Sequence, residues 1–274
     1  MDDRPIGVFD SGVGGLTVLR ALKGALPHES TVYLGDTARV PYGTRSAQTI
    51  VRYAINNART LVEAADIKLL VVACNTASAV SMPALAAELS PRGIEVIGVI
   101  EPGARAALAA SKGAGIAVLG TVGTVRSGAY PRALARLGHA GGVYAIACPL
   151  LVPLVEEGLL EGEIPRLVVE RYLSALPTDI DTVVMGCTHY PLLRAVLRAA
   201  LPASVALVDG AAATALEVTS LLAARGIARG RATGAAHRLL VTDAPEQLAQ
   251  LAPAFLGEAV VSAAIETVDV VMTA

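Results

Sequence analysis

Two cysteines stand at matching points of the sequence. Cys74 ends the apolar run LLVVAC and Cys187 ends TVVMGC, and small polar residues follow each of them, Asn-Thr in one case and Thr-His in the other. At an offset of 113 residues, which places Cys74 on Cys187, four of the nine positions from 66 to 74 are identical. We interpret the chain as two related halves that each present one thiol.

Paired thiols of this kind suit acid–base chemistry on two faces of one small molecule. Ligands bind at the carboxyl ends of parallel strands, so two such ends that face each other place a thiol on each side of the ligand. A helix start close to a thiol stabilises its thiolate. Asp10, at the end of the first apolar run, and His189, two residues after Cys187, are the nearest titratable neighbours. Both thiols therefore have a route to activation.

Other reactive side chains favour structural roles. Cys148, within AIACPL, is predicted to be a buried packing residue, and His28, His139 and His237 are predicted to be structural. An odd number of cysteines without C-x-x-C spacing argues against a disulfide framework and a structural zinc site. A zinc site built from the two paired cysteines and His189 stays open as an alternative, because these ligand types suit zinc.

The glycine-rich stretch DSGVGG, from Asp10 to Gly15, follows a predicted strand and opens a predicted helix. A dinucleotide-binding motif would need a glycine where Thr17 stands, and no Lys-Ser/Thr pair follows as in a P-loop. We therefore favour an anion cradle, in which Ser11 and backbone N–H groups at the helix start hold a carboxylate.

Short apolar runs alternate with helical patterns along the chain, which predicts an α/β fold. The runs are continuous, as in strands that are covered on both faces. Ser46 is predicted to cap a long helix that extends to Ala65. The fold predicted is two similar doubly wound parallel-sheet domains related by pseudo-twofold symmetry, with the active site in the cleft between them. The predicted strands are Ile6–Phe9, Thr31–Leu34, Lys68–Ala73, Val96–Val99, Ile116–Leu119, Val143–Ala147, Thr182–Met185, Val205–Val208 and Leu239–Val241.

Composition narrows the function classes. The chain has 274 residues and a net charge of −2, and its basic and acidic residues are interleaved, so nucleic acid is not an expected direct partner. No apolar run reaches the roughly 18 to 20 residues of a membrane span, and the N-terminus lacks the pattern of a signal peptide. We expect a cytoplasmic protein that does not bind membranes.

Five motifs, in this order and spacing, resemble the glutamate racemase family of the cofactor-independent aspartate/glutamate racemase superfamily: FDSGVGG, LGDTARVPYG, VVACNTASA, TVGTVRSGAY and MGCTHYPLL. The resemblance implies a two-base reaction without cofactor or metal, in which Cys74 acts on D-glutamate and Cys187 on L-glutamate. Asp10 and His189 would assist the two thiols. It also implies a homodimer, and a role in supplying D-glutamate for peptidoglycan and hence for cell-wall biogenesis and cell shape.

The repeat predicts one unit over residues 1–97 and another over residues 98–208, and the resemblance places the segment 209–274 with the first. The first domain would then hold residues 1–97 plus 209–274. The resemblance further implies a set of substrate-binding residues. Thr121 is a weaker candidate for the cleft wall. Glu156, in a charge-rich run, is predicted to face solvent, with a position in the cleft near the second thiol as the alternative. The binding residues implied are Asp10, Ser11, Tyr42, Gly43, Asn75, Thr76, Thr188 and His189.

Two alternatives stay open at the level of sequence. An aspartate racemase would use the same thiols in a pocket of shorter reach. A two-domain amino-acid-binding protein would close on its ligand without chemistry, although such a protein has no need of paired thiols.

Overall fold

Two parallel β-sheets form the centre of the computed structural model, which describes residues 1–230 and 234–270. Each predicted strand is found to within a residue or two, and its continuous run of β-branched and leucine residues accounts for its strand conformation. The strands in the described part of the chain are β1 Ile6–Asp10, β2 Thr31–Gly35, β3 Leu69–Val72, β4 Glu95–Gly98, β5 Gly115–Gly120, β6 Val143–Ala147, β7 Ile180–Gly186, β8 Ala206–Asp209, β9 His237–Val241 and β10 Ile265–Thr267.

Helices connect these strands and cover both faces of the sheets. Ser46 caps α2 as predicted, because its hydroxyl accepts a hydrogen bond from the backbone N–H of Thr49 at 3.2 Å. In residues 1–230 and 234–270, no helix is long and apolar enough to cross a bilayer. The helices are α1 Leu16–Ala25, α2 Ala47–Ala65, α3 Asn75–Leu89, α4 Ile100–Ala110, α5 Val122–Ser127, α6 Ala129–Arg136, α7 Leu151–Glu156, α8 Glu163–Leu173, α9 Arg194–Ala200, α10 Gly210–Arg225 and α11 Pro245–Leu256.

The two sheets repeat one strand order. The first runs β10-β9-β2-β1-β3-β4 and the second runs β6-β5-β7-β8, so the order β2-β1-β3-β4 of the first half recurs in the second. All the pairings between these strands are parallel. Cys74 comes two residues after β3 and Cys187 directly after β7, which are equivalent strands. The predicted duplication is therefore a structural repeat.

Hydrophobic packing lies on both faces of each sheet, as the continuous apolar runs predict. In β1, the side chains of Ile6 and Val8 belong to one buried cluster and that of Phe9 to another on the opposite face. In β5, Ala117 and Val118 divide between two clusters in the same way. Two-sided burial fixes the register of a central strand, because a slip of one residue would exchange the two faces. Because the register is fixed, the residues that follow the ends of these strands are held at fixed positions.

The last segment of the chain adds to the first sheet. Strand β9 pairs with β2 and β10 pairs with β9, both in parallel. A short 3₁₀ turn, Ser262–Ala264, precedes β10, a strand that the sequence pattern did not indicate. Residues 231–233, in a stretch of sequence rich in glycine and arginine, and residues 271–274 lie outside the described residues. The domain bounds at 97/98 and 208/209 stay a prediction.

Candidate active site

A cavity of about 350 Å³ lies at the carboxyl ends of the two sheets, and both Cys74 and Cys187 line it. The two thiols come from different sheets and are 5 % and 7 % exposed. The structure thus brings together the two cysteines that the sequence repeat pairs, although they are 113 positions apart. The predicted residues that line the cavity are Ser11, Tyr42, Gly43, Cys74, Asn75, Thr76, Thr121, Glu156, Cys187, Thr188 and His189.

Cys74 stands at the start of α3 and acts as its N-cap. Its Sγ accepts a hydrogen bond from the backbone N–H of Ala77 at 3.5 Å and lies 3.6 Å from Oγ of Ser11. Burial raises the pKa of Cys74 to about 12, the charge of Asp10 adds to the increase, and the contacts with Ala77 and Ser11 oppose it. Cys74 is therefore a protonated thiol at neutral pH.

Asp10 does not line the cavity, whereas the resemblance implies that it binds substrate directly. Its side chain is buried beneath the glycine-rich loop, where Oδ2 accepts a hydrogen bond from the backbone N–H of Gly12 at 2.9 Å and Oδ1 has no hydrogen-bond partner among the described residues. Burial raises the pKa of Asp10, while the charge of His189 and nearby backbone N–H groups oppose the increase. Since its carboxylate charge raises the pKa of Cys74, Asp10 acts on that thiol through space.

Cys187 is linked to Glu156 through His189. Nδ1 of His189 lies 4.0 Å from Sγ of Cys187, and Nε2 lies 3.0 Å from Oε1 of Glu156. Burial opposes a charge on the ring, but the hydrogen bonds with Cys187 and Glu156 outweigh it and raise the pKa of His189 to about 10. His189 is thus an imidazolium at neutral pH, and its positive charge lies next to Sγ of Cys187. Of the two environments proposed for Glu156, the structure shows the one in the cleft.

The segment after Cys187 does not open with an α-helix. A 3₁₀ turn, Tyr190–Leu193, follows first, and α9 begins only at Arg194. No α-helix therefore begins directly at Cys187 as α3 begins at Cys74, and the cation beside it is His189. Phe255 of α11 packs edge-on against the His189 ring, with the ring centroids 5.1 Å apart.

The glycine-rich loop packs directly against this second half-site. A Cβ atom added at Gly14 would lie 2.1 Å from Oγ1 of Thr188 and 2.5 Å from Nδ1 of His189, so only glycine fits at this position. Ser11 and Gly12 from the same loop line the cavity. The loop brings the two halves into close contact. This close approach accounts for the glycines in the loop, and no bound nucleotide is needed to explain them.

Tyr42 lines the cavity, but its hydroxyl is turned away from it. The hydroxyl donates a hydrogen bond to the buried carboxylate of Asp36 and accepts one from Nδ2 of Asn57 at 3.0 Å. Tyr42 can therefore offer a ligand its ring and backbone, with Gly43 beside it. Thr76 and Thr121 meet across the two halves, with their hydroxyl oxygens 2.9 Å apart.

Much of the remaining cavity wall is apolar and was not predicted. Three of these residues, Pro149, Val152 and Pro153, follow β6, and their place after a strand end was the one signal in the sequence. In residues 1–230 and 234–270, no group of three or more His, Cys, Asp or Glu side chains is placed to hold a metal ion, so the zinc alternative has no geometric support there. The other unpredicted lining residues are Gly12, Val40, Pro41, Thr44 and Val122.

Two parallel half-sites thus each supply one thiol to a shared cavity. The model of the Asp/Glu/hydantoin racemase family matches residues 16–218. The chain belongs to this family and is an amino-acid racemase, an isomerase. A binding protein without chemistry is thereby the wrong alternative.

Individual relatives agree with this assignment. The chain is 48% identical to a glutamate racemase of Geobacter metallireducens over 93% of each chain. Among solved structures, it is similar to the glutamate racemase isoform RacE1 of Bacillus anthracis, with 39% identity, 98% of each chain covered and a TM-score of 0.92. It is also similar to the glutamate racemase of Francisella tularensis, solved in complex with D-glutamate, with 34% identity, 98% and 99% coverage and a TM-score of 0.90.

Proposed function

We propose that this enzyme interconverts L-glutamate and D-glutamate, with its two thiols acting on opposite faces of the α-carbon. The observation that carries the proposal is that Cys74 and Cys187, from equivalent strands of two sheets, line one cavity. Inversion needs one group to remove the α-proton and a second to deliver a proton to the other face. A repeated half-site supplies two such groups at fixed positions.

The protonation states of the two half-sites support a division of labour. Cys74, with a pKa of about 12, begins as a thiol, and the base assigned is Cys187, whose Sγ lies 4.0 Å from Nδ1 of the His189 imidazolium. In this state, the α-proton of L-glutamate passes to Sγ of Cys187, and the Sγ proton of Cys74 passes to the opposite face of the carbanion. The products are D-glutamate, a Cys187 thiol and a Cys74 thiolate. The reverse reaction starts from that state.

Polar groups around the cavity suit an amino acid with two carboxylates. Hydroxyls of Ser11, Thr76 and Thr188, the amide of Asn75 and the backbone near Gly43 can donate hydrogen bonds to them. No lysine or arginine is among the described residues that line the cavity. Glutamate is favoured over aspartate because the relatives at 34% to 48% identity are glutamate racemases, one of them solved with D-glutamate.

The same proposal covers the biological role, location and partners of the enzyme. We propose that it supplies D-glutamate for peptidoglycan synthesis, is cytoplasmic, forms a homodimer and does not bind nucleic acid directly. The division into residues 1–97 plus 209–274 and residues 98–208 belongs with them. Support for these points comes from the resemblance and the composition of the sequence.

A circular-dichroism assay of the purified protein, without added cofactor, tests the reaction and the substrate together. We expect the signal of L-glutamate, and separately that of D-glutamate, to decay to zero. Both aspartate enantiomers, at the same concentration, serve as the comparison. A constant glutamate signal, or a faster decay with aspartate, would contradict the assignment.

A further inference from the structure

Tyr130, a residue with no role in the chemistry described above, reaches from the second half of the molecule to the first half-site. It lies on α6, is 2 % exposed, and donates a hydrogen bond from its hydroxyl to Oδ1 of Asn75 at 2.8 Å. Asn75 directly follows Cys74 and lines the cavity. A buried hydroxyl thus fixes a side chain that faces the proposed substrate.

Two glycines make room for the Tyr130 ring. A Cβ atom added at Gly103 of α4 would lie 3.0 Å from the Tyr130 hydroxyl oxygen, and one added at Gly186 would lie 3.2 Å from the ring atom Cε2. Gly186 is the last residue of β7 and directly precedes Cys187. The ring is therefore held between the strand that carries one thiol and the amide beside the other.

The protonation of Tyr130 sets the direction of this hydrogen bond. Burial raises the pKa of Tyr130, and the proximity of Cys187 and Asp209 adds to the increase. The hydroxyl therefore keeps its proton and can donate it to the amide oxygen. An asparagine side chain has a carbonyl oxygen, which accepts hydrogen bonds, and an NH₂ group, which donates them. Because the oxygen accepts the hydrogen bond from Tyr130, the NH₂ group is the part that can donate into the cavity.

We propose that Tyr130 is a positioning residue for substrate binding, which holds the Asn75 amide so that its NH₂ group donates to a substrate carboxylate. The inference rests on the proposed function, in which the ligand is a dicarboxylic amino acid. A carboxylate only accepts hydrogen bonds. An amide that rotated by half a turn would present its oxygen to the ligand and repel it. The hydroxyl of Tyr130 excludes that orientation.

Replacement of Tyr130 by phenylalanine removes the hydroxyl and keeps the ring. We expect KM for both glutamate enantiomers to rise about five- to tenfold, with kcat within about twofold of wild type, because the amide binds ground state and transition state alike. Tyr190→Phe is the matched control, since Tyr190 is also buried and its hydroxyl donates to the carbonyl of Cys148 at 2.9 Å. That variant should leave KM unchanged.

A double-mutant cycle separates positioning from a general structural role. If Tyr130 acts through Asn75, then Tyr130→Phe should have no further effect on KM once Asn75→Ala is present. The double variant should also melt at a higher temperature than Asn75→Ala alone, because it no longer buries an unpaired hydroxyl.

Two outcomes would overturn the inference. They are an unchanged KM in Tyr130→Phe, with or without a loss of thermal stability, and effects on KM that multiply in the double variant. Wild-type enzyme is measured in the same assay. Failure of wild type to racemise glutamate would refute the proposed function, whereas active wild type with an unaffected Tyr130→Phe variant would refute only this inference.

Discussion

Nε2 of His189 and Oε1 of Glu156 lie 3.0 Å apart, although 33 positions separate the two residues in sequence. The contact joins the end of α7 to the segment that follows β7. Because the other ring nitrogen faces Sγ of Cys187, His189 contacts both Glu156 and the second thiol. The carboxylate of Glu156 therefore helps to keep a positive charge on the ring beside that thiol.

Replacement of Glu156 by glutamine should lower the pKa of His189. In wild type this pKa is raised to about 10, above the usual histidine value of about 6.5, so the ring is charged over the neutral range. NMR titration of the imidazole, assigned with His189→Asn, measures the midpoint, and the exposed neighbour variant Glu157→Gln serves as control. A wild-type midpoint near 6.5, or equal midpoints in wild type and Glu156→Gln, would contradict this coupling.

The same titration predicts how stability depends on pH. A group whose pKa is higher in the folded state stabilises the fold fully below its unfolded value, here about 6.5. The contribution of His189 should thus be complete below that pH and disappear as the pH rises through about 10. Thermal melting of wild type and Glu156→Gln across this range should show a difference that shrinks at high pH. A difference that grows with pH would have the wrong sign.

Alanine at either Cys74 or Cys187 should abolish racemisation in both directions. Each thiol is needed in both directions, once as base and once as acid, so we expect a loss of about a thousandfold or more in kcat/KM. The loss must be equal for the two enantiomers, because their free energies are equal. Cys148→Ala is the control, since this third cysteine is buried but does not line the cavity. Near-normal turnover in either active-site variant would refute the two-thiol assignment.

Asparagine at Asp10 should make Cys74 more reactive. Burial is the main cause of the raised Cys74 pKa, and the carboxylate charge of Asp10 is the next. Removal of that charge lowers the pKa, and each unit increases the thiolate fraction about tenfold. The rate of iodoacetamide labelling at pH 9, measured by mass spectrometry of the peptide that contains Cys74, reports the change. Asp179→Asn, at an exposed site before β7, is the control. A slower or unchanged rate would show that Asp10 does not oppose the thiolate.

Phenylalanine at Tyr42 should affect stability more than binding. Its hydroxyl bonds to Asp36 and Asn57 within the first half and is turned away from the cavity. Loss of a hydrogen bond to a buried carboxylate should lower the free energy of unfolding by about 1.5–3 kcal/mol. We expect KM for glutamate to stay within about twofold of wild type, because the ring and backbone are unchanged. A tenfold increase in KM with an unchanged melting temperature would place the hydroxyl in the binding site.

The sequence predicts the positions of the strands and helices better than it predicts the orientation of individual side chains. Continuous apolar runs and glycine-rich ends predict β1 to β9, since two-sided burial leaves a strong local signal. Strand β10 has three residues and a mostly exposed pattern, so it left no such signal. The two thiols could be paired because the chain repeats itself around Cys74 and Cys187.

The contacts that tune the site are harder to predict because they join distant parts of the chain. Tyr130 reaches Asn75 over 55 positions, and the hydroxyl of Tyr42 turns toward Asp36 because a buried carboxylate there needs a donor. Asp10 ends a strand, as predicted, but the loop that follows it covers its carboxylate. Motif spacing fixes which residues are near the cavity, whereas the direction of each polar group depends on tertiary partners.

Racemisation in deuterated water tests the two-base reaction most directly. Starting from L-glutamate, NMR and chiral analysis at low conversion measure deuterium at the α-carbon of each enantiomer. With Cys187 as base and Cys74 as acid, the D-glutamate formed should carry deuterium, while the remaining L-glutamate should keep its original proton. Product that retains the original α-proton, or deuterium that enters both enantiomers equally from the start, would contradict the division of roles between Cys74 and Cys187.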